Sequence, residues 1–261
     1  MFSSERRTII LELLKEKKRI LVNELAKDFN VSIDSIRRDL SHLEKEGLLQ
    51  RTHGGAILKS FTKMLPPPSE ERYYNIDDDM KAIAKEAVKH IYENETIYIG
   101  GASVHFAMLS YLKEHFPFTV VTNSLQIANH LRNFNNIELI LIGGNLKSSG
   151  NISDSIALEM MKLFRLDKAF ITGGGVTIDG IGTATTNVAF FTRQVAQQSN
   201  KVIALMHHTK INKNAFVKSI DLKEIDILIT NRQKTATFIH DVKELYDLEI
   251  IKTNPIYKGD K

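Results

Sequence analysis

The chain has 261 residues and an ordinary globular composition, which suits one small and one medium domain with a real apolar core. It contains no cysteine, so disulfides and cysteine-ligated zinc are excluded. Net charge is +4, and residues 1–60 carry 12 Lys and Arg against 9 Asp and Glu, a weak pointer to nucleic acid. No apolar run approaches the roughly 18 residues of a membrane span. The start, MFSSERRTIILELL, lacks the separate charged, apolar and cleavage regions of a signal peptide. A cytoplasmic location is the expectation.

Ile9, Ile10, Leu13 and Leu14 fall near helical spacing and predict a first helix. The run Lys15-Glu16-Lys17-Lys18-Arg19 closes it, because cations suit a helix C-terminus. Val22, Leu25, Ala26 and Phe29 lie at i, i+3, i+4 and i+7 and predict a short second helix. Asn30 tolerates a tight turn, and Ser32 is a fitting N-cap. Ile36, Leu40 and Leu43 form the buried face of a third helix, with Gly47 placed to stop it. The other side of that helix carries Asp34, Ser35, Arg37, Arg38, Ser41 and His42.

Two short helices joined by a turn of about four residues make a helix-turn-helix, whose second helix enters the major groove. Arg can bridge guanine O6 and N7, and Ser can contact bases or phosphates. In an arbitrary helix Arg37 and Arg38 would be a surface pair bridging Asp34 or Asp39; the two-helix context favours DNA. Residues 48–51 and 56–59 then read as a hairpin, with His53-Gly54-Gly55 as a turn needing positive φ. As a wing it would bring Arg51 and His53 to the DNA backbone; spacing alone leaves a plain hairpin open.

The string Val31-Ser32-x-x-Ser35-Ile36-Arg37-Arg38-Asp39-Leu40, then Leu43-Glu44-x-x-Gly47, then Arg51-x-His53-Gly54-Gly55-Ala56, resembles the N-terminal signature of the DeoR family of bacterial transcriptional regulators. Ser35 stands where the family usually has threonine. The resemblance implies a winged helix-turn-helix on double-stranded operator DNA. Ser32, Asp34, Ser35, Arg37, Arg38, Ser41 and His42 would act from the helix, and Arg51, His53, Gly54 and Gly55 from the wing.

Pro66-Pro67-Pro68 holds three of the five prolines and favours extended polyproline II. Three segments are therefore expected: a DNA-binding domain at 1–60, a Pro-rich linker at 61–75 and an α/β domain at 76–261. In the last, helices are predicted over 80–91, 104–112, 126–131, 156–164 and 188–198. Strands are predicted over 96–99, 118–121, 137–142, 169–171, 202–206 and 225–230. Such alternation predicts a mostly parallel sheet covered on both faces.

The strands run into small and polar residues: Gly100-Gly101, Thr122-Asn123-Ser124, Gly143-Gly144-Asn145, Thr172-Gly173-Gly174-Gly175 and His207-His208-Thr209-Lys210. Open α/β sheets bind ligands outside the carboxyl ends of their strands, and glycines let backbone N–H groups approach an anion. Any single loop can be turn geometry only; the set points to an anionic small ligand, such as a sugar phosphate or a related anionic metabolite. The candidate ligand residues are Gly100, Gly101, Ser103, Asn123, Ser124, Gly143, Gly144, Gly173, Gly174, Gly175, Thr183 and Lys210. The glycine run is not a G-x-G-x-x-G fingerprint, so no dinucleotide or other cofactor is expected. Adjacent histidines on an extended segment point opposite ways, so His207 and His208 are not read as metal ligands.

This half is also similar to the DeoR sensor domain, which resembles ribose-5-phosphate isomerase and CoA-transferase folds. The similarity rests on Thr122-Asn123-Ser124, Gly143-Gly144, Asp167-x-Ala169-Phe170-Ile171, Gly182-Thr183, Lys210 and Ala215-Phe216. It implies a phosphorylated sugar as effector and a homo-oligomeric repressor, dimer or tetramer, of a carbohydrate operon. Two segments depart from the pattern. Gly100-Gly101-Ala102-Ser103-Val104 replaces the usual Asp-Ser-Gly-Thr-Thr, and His207-His208-Thr209-Lys210 replaces Asp-x-Ser-Lys. A regulator with an altered or lost effector site is the alternative. An isomerase would need a positioned carboxylate base, and the nearest acids are Asp154 and Asp179, so no enzyme is expected.

Overall fold

The computed structural model describes residues 3–17, 19–45, 48–58, 69–231 and 235–255, and the chain divides into two compact units, Met1–Thr62 and Lys63–Lys261. The proline triplet at 66–68 and Gly47 lie outside the described residues.

The first unit runs α1 (Ser3–Lys17), β1 (Arg19–Leu21), α2 (Val22–Asp28), α3 (Ile33–Lys45), β2 (Leu49–Thr52) and β3 (Gly55–Leu58). Its strands form an antiparallel sheet in the order β1-β3-β2. The apolar positions with helical spacing meet in one core: Ile10 and Leu14 of α1, Leu25 of α2, Ile36, Leu40 and Leu43 of α3, closed by Leu49 and Ala56. Each fully buried Leu or Ile among them contributes roughly 1.5–3 kcal/mol. Asn30 makes the turn between α2 and α3 with φ 49°. Ser32 Oγ accepts the Ser35 N–H at 3.2 Å, as a cap should.

Two readings need correction. The basic run ending at Arg19 does not simply close a helix, because Arg19 enters β1 and pairs with Ile57. Gly54 and Gly55 do not take positive φ. Gly55 is required for space instead: a Cβ there would lie 1.9 Å from the Ile20 carbonyl oxygen across the β1–β3 ladder.

The second unit opens with α4 (Ser69–Tyr74) and α5 (Asp78–Ala87). The extended linker expected over 61–75 therefore ends earlier. Residues 69–74 are helical because Tyr73 stacks on Phe106 at 4.2 Å and Arg72 is hydrogen-bonded into the unit. There follow β4 (Thr96–Ile99), α6 (Ser103–Met108), β5 (Phe118–Thr122), α7 (Leu125–Leu131), β6 (Ile137–Leu141), α8 (Ser155–Met161) and β7 (Leu166–Ile171). A hairpin, β8 (Gly175–Thr177) and β9 (Gly180–Thr183), precedes α9 (Thr186–Gln197), β10 (Ser199–Met206), β11 (Val217–Ile220), β12 (Ile227–Asn231), α10 (Ala236–Leu245) and β13 (Glu249–Thr253).

Seven strands make a parallel sheet in the order β13-β12-β10-β7-β4-β5-β6. The unit is α/β and doubly wound. One apolar layer packs α5, α6 and α7 on the sheet through Ile83, Met108 and Ile127. The opposite layer packs α8, α9 and α10 through Met161, Val195 and Phe238. Chain order reverses between β4 and β7, the switch point where such folds open a crevice at the strand carboxyl ends. Strand-to-helix alternation does not predict β8, β9 and β11, which form a separate antiparallel sheet in the order β11-β9-β8.

Candidate functional site

In the first unit α3 turns Asp34, Arg37, Arg38 and His42 to solvent, with Ser35 and Ser41 half-buried. Ser32 and Ser35 join at its start, hydroxyl to hydroxyl, at 2.9 Å. Arg37 reaches Asp34 at 3.4 Å with both side chains more than half exposed, a pair worth well under about 1 kcal/mol. Arg38 Nε donates to the Asp34 carbonyl at 3.4 Å. Both arginines are therefore only weakly engaged within the protein.

Asp39 does not compete for them. It faces inward and pairs with Arg6 of α1 at 2.6 Å, both side chains under 10% exposed. That pair fixes α1 to α3, and nothing in the local pattern at Arg6 announces it. On the wing, Arg51 Nη1 donates to Ser41 Oγ at 2.8 Å, and its N–H donates to Glu44 Oε1 at 2.8 Å, so β2 and α3 present a joined polar surface. His53 and Gly54 sit exposed at the hairpin tip, while Gly55 is buried in β3.

In the second unit, the switch point gathers some candidates and not others. Gly100 and Gly101 follow β4 directly, and Ser103 opens α6 beside them. A Cβ on Gly101 would lie 1.9 Å from Asn151 Oδ1 and 2.7 Å from Ser124 Oγ, so these groups share one small space. Ser124 Oγ and Asn151 Oδ1 are buried there without a hydrogen-bond partner among the described residues. Arg72 donates to the carbonyls of Gly101 and Ser149, each at 2.9 Å, and its Nε is buried and unpartnered. Tyr73 Oη donates to the Gly101 carbonyl at 3.1 Å. From the turn after β10, Lys210 Nζ comes within 3.5 Å of Thr172 Oγ1, just past β7.

Burial, and then the nearby Arg72 charge, pushes the Lys210 ammonium down to about 8. Burial pushes the His105 imidazole down to about 3, with Lys210 and Arg72 adding to the effect, so the ring is neutral. Its Nδ1 accepts the Ala102 N–H at 3.4 Å. The Arg72 charge thus acts on Lys210, and both cations act on His105. A bound anion would reverse that penalty.

Other candidates are committed elsewhere. Asn123 is turned into the core, where its Oδ1 accepts Tyr98 Oη at 2.8 Å and its Nδ2 donates to the Ile152 carbonyl at 2.6 Å. Gly144, at φ 136°, lets Asp154 fold under the end of β6, and Asp154 accepts the Asn145 and Ala157 N–H groups there. Gly143 belongs to the same turn, at an edge strand. Gly173 and Gly175 admit the hairpin and the 213–215 loop: added Cβ atoms would lie 2.3 Å from Ile181 Cγ2 and 2.0 Å from the Lys213 carbonyl. Gly174 N–H donates to the Gly182 carbonyl at 2.8 Å. Thr183 is buried and donates to the Thr185 carbonyl. With Asp154 capping α8 and Asp179 exposed in the hairpin turn, neither carboxylate serves as a base at the crevice.

Comparison with known proteins adds the family. Residues 6–62 match the DeoR-like helix-turn-helix domain, and residues 77–232 match the DeoR C terminal sensor domain. The chain belongs to the DeoR family. It is 30% identical over 254 residues to the HTH-type transcriptional repressor GlcR of Bacillus subtilis (strain 168), covering 97% of each chain. It is 31% identical over 242 residues to the HTH-type transcriptional regulator GolR of Listeria innocua, covering 89% of this chain and 92% of that one. The Glycerol-3-phosphate regulon repressor of Escherichia coli (strain K12) is 29% identical over 233 residues, at 88% and 92% coverage. Among solved structures, ribose 5 phosphate isomerase A from Neisseria gonorrhoeae is 19% identical over 53% of this chain and 56% of that one, with a TM-score of 0.39. As a DeoR member the chain is a DNA-binding transcriptional regulator and not an enzyme.

Against the DeoR pattern, the segment after β10 behaves differently from the sequence reading. His207 and His208 do not point apart. The extended backbone ends at His207, and His208–Lys210 is a 3-10 turn, which brings the two rings to 4.2 Å. Two carboxylates from the start of α5 meet them. His207 Nε2 lies 3.3 Å from Asp77 Oδ2 and 3.8 Å from Asp79 Oδ2, and His208 Nδ1 lies 3.3 Å from Asp79 Oδ2. Burial pushes the His207 imidazole down, against an upward pull from Asp77 and Asp79.

Proposed function

We propose that this DeoR regulator represses a carbohydrate operon and leaves its operator when a phosphorylated sugar occupies the switch-point crevice. Arg72 reaches the Gly101 carbonyl beyond β4 and Lys210 reaches Thr172 beyond the adjacent β7, near enough for Arg72 to lower the Lys210 pKa; this pair of cations carries the reading, because a phosphate would neutralise both. Ser124 Oγ, Asn151 Oδ1 and the β4–α6 glycines would complete the ligand shell. The relatives' names agree in kind: a Glycerol-3-phosphate regulon repressor and a Lactose phosphotransferase system repressor are among them. On the DNA side, Arg37, Arg38, Ser35 and Ser41 would meet the major groove, and Arg51 and His53 would reach phosphate from the wing.

The protein would act in the cytoplasm as a homo-oligomer, with half-sites spaced by a whole number of helical turns. Effector binding would shift the population toward states of lower operator affinity. The test binds the full chain to DNA from upstream of its own gene and then titrates a panel of sugar phosphates. Arg38→Ala should weaken operator binding about 10–100-fold, the equivalent of ~1–3 kcal/mol, with the melting temperature unchanged. Lys210→Met should bind DNA normally and no longer be released. Normal release of Lys210→Met would sink the crevice assignment. Release of the wild type by no compound would favour an altered effector site.

A further inference from the structure

The group formed by Asp79, His207 and His208 lies outside both surfaces used so far. One ligand-capable atom of each lies within 4.8 Å of the others. Asp79 Oδ1, His207 Nε2 and His208 Nδ1 are all buried without a hydrogen-bond partner among the described residues. Leaving one such atom unsatisfied costs about 1–3 kcal/mol, so three in one place ask for an explanation. His207 is only 7% exposed and aims Nε2 at the carboxylates.

Distances between these atoms fit coordination. Two ligands about 2.05 Å from a tetrahedral centre lie roughly 3.3 Å apart. His208 Nδ1 to Asp79 Oδ2 is 3.3 Å, His207 Nε2 to Asp77 Oδ2 is 3.3 Å, and His207 Nε2 to Asp79 Oδ2 is 3.8 Å. His207 Nδ1 lies 2.8 Å from Thr209 Oγ1. With its proton donated there, the ring presents the Nε2 lone pair to two carboxylates, a contact that repels unless a cation lies between. The arrangement is also held from behind. Asn231, fully buried at the end of β12, donates to the Asp79 carbonyl at 3.2 Å and accepts the His208 N–H at 3.2 Å.

We propose that Asp79, His207 and His208, with Asp77 at the rim, bind a divalent transition-metal ion of the zinc class. Two imidazole nitrogens and a carboxylate suit Zn²⁺ or Co²⁺, whereas Ca²⁺ and Mg²⁺ take oxygen ligands. The α5 N-terminus opposes a cation with roughly half a positive charge, but Asp77 and Asp79 together bring two negative ones, and Asp78 is engaged by Lys81. A bound ion would tie the turn that carries Lys210 to α5. The proposal does not depend on which sugar phosphate, if any, the crevice takes.

Calorimetry of the full chain, stripped with a chelator and titrated with Zn²⁺, tests it, alongside Co²⁺ absorption as a reporter of nitrogen ligation. About one ion per chain is expected. Asp79→Asn and His208→Gln should each weaken binding by at least about tenfold, because even residues outside the coordination sphere cost 10–100-fold. His240→Gln, an exposed histidine beside Glu244, should bind as the wild type does. Circular dichroism melts of the metal-free variants confirm that they fold. The competing arrangement has Nδ1 accept the Thr209 N–H at 3.3 Å and Nε2–H donate to Asp77. It predicts no affinity. Absence of binding by the folded wild type, or binding that survives both ligand substitutions, overturns the proposal.

Discussion

The two units place their polar groups by opposite rules. In the first, the residues proposed to face DNA are exposed and weakly engaged, and the buried Arg6–Asp39 pair behind them ties α1 to α3. In the second, Arg72 and Lys210 are partly buried and press on each other's surroundings, and several glycines clear room for neighbouring loops. A reading surface needs rigid support and free side chains. A sensing crevice needs charges held at a cost that its ligand removes.

The largest expected effect breaks the support. Arg6→Ala leaves Asp39 as an uncompensated buried charge, and the first unit should lose about 3–5 kcal/mol. All seven tyrosines lie in the second unit, so their fluorescence reports that unit alone. Arg6→Ala should therefore lose helical circular dichroism and operator binding while the tyrosine transition stays in place. The double change Arg6→Met with Asp39→Leu should recover most of the stability, because the buried charge is gone. If Arg6→Ala melts like the wild type, the pair is not what ties α1 to α3.

How much of this could be read from the chain follows from the range of the contacts. Leu25, Ile36, Leu40 and Leu43 announce their core because helical spacing is local, and the five strand ends announce the sheet's carboxyl edge for the same reason. β1 is three residues long and exists only through pairing with β3. β8 and β9 are too short and glycine-rich to show a period. Asn123 reads as a strand-end ligand until Tyr98 and Ile152 are seen to hold its amide. Arg72 lay in an expected linker, and its role depends on carbonyls 29 and 77 residues away. His207 and His208 needed a single 3-10 turn, which alternation along a strand cannot foresee.

A middle-sized effect sharpens the charge argument in the second unit. His105 is held neutral, with its pKa pushed down to about 3, whereas in the unfolded chain it titrates near 6.5. Between those values the unfolded state binds a proton that the folded state does not, so stability rises with pH across that window and is level above it. Falling from pH 7 to pH 5, this group alone should remove about 2 kcal/mol. Denaturation of the full chain followed by tyrosine fluorescence should show that loss in the wild type and much less of it in His105→Gln. Equal pH slopes in the two proteins would mean that the ring protonates freely and is not sealed beside Lys210.

The smallest expected effect separates packing from binding within three consecutive glycines. An added Cβ on Gly175 would lie 2.0 Å from the Lys213 carbonyl, so Gly175→Ala forces backbone to move and should cost about 1–3 kcal/mol. Gly174 is exposed, and its nearest neighbours would be Ala215 Cβ at 3.5 Å and the Gly182 carbonyl at 3.7 Å, ordinary contacts. Its N–H already donates to Gly182. Gly174→Ala should therefore stay within about 0.5 kcal/mol of the wild type and leave effector release unchanged. Thermal melts and the operator-release assay on the two variants read both quantities. A Gly174→Ala protein that folds normally but no longer responds to sugar phosphate would mean that this backbone touches the ligand. The glycine run would then belong to the crevice, not to the hairpin that closes beside it.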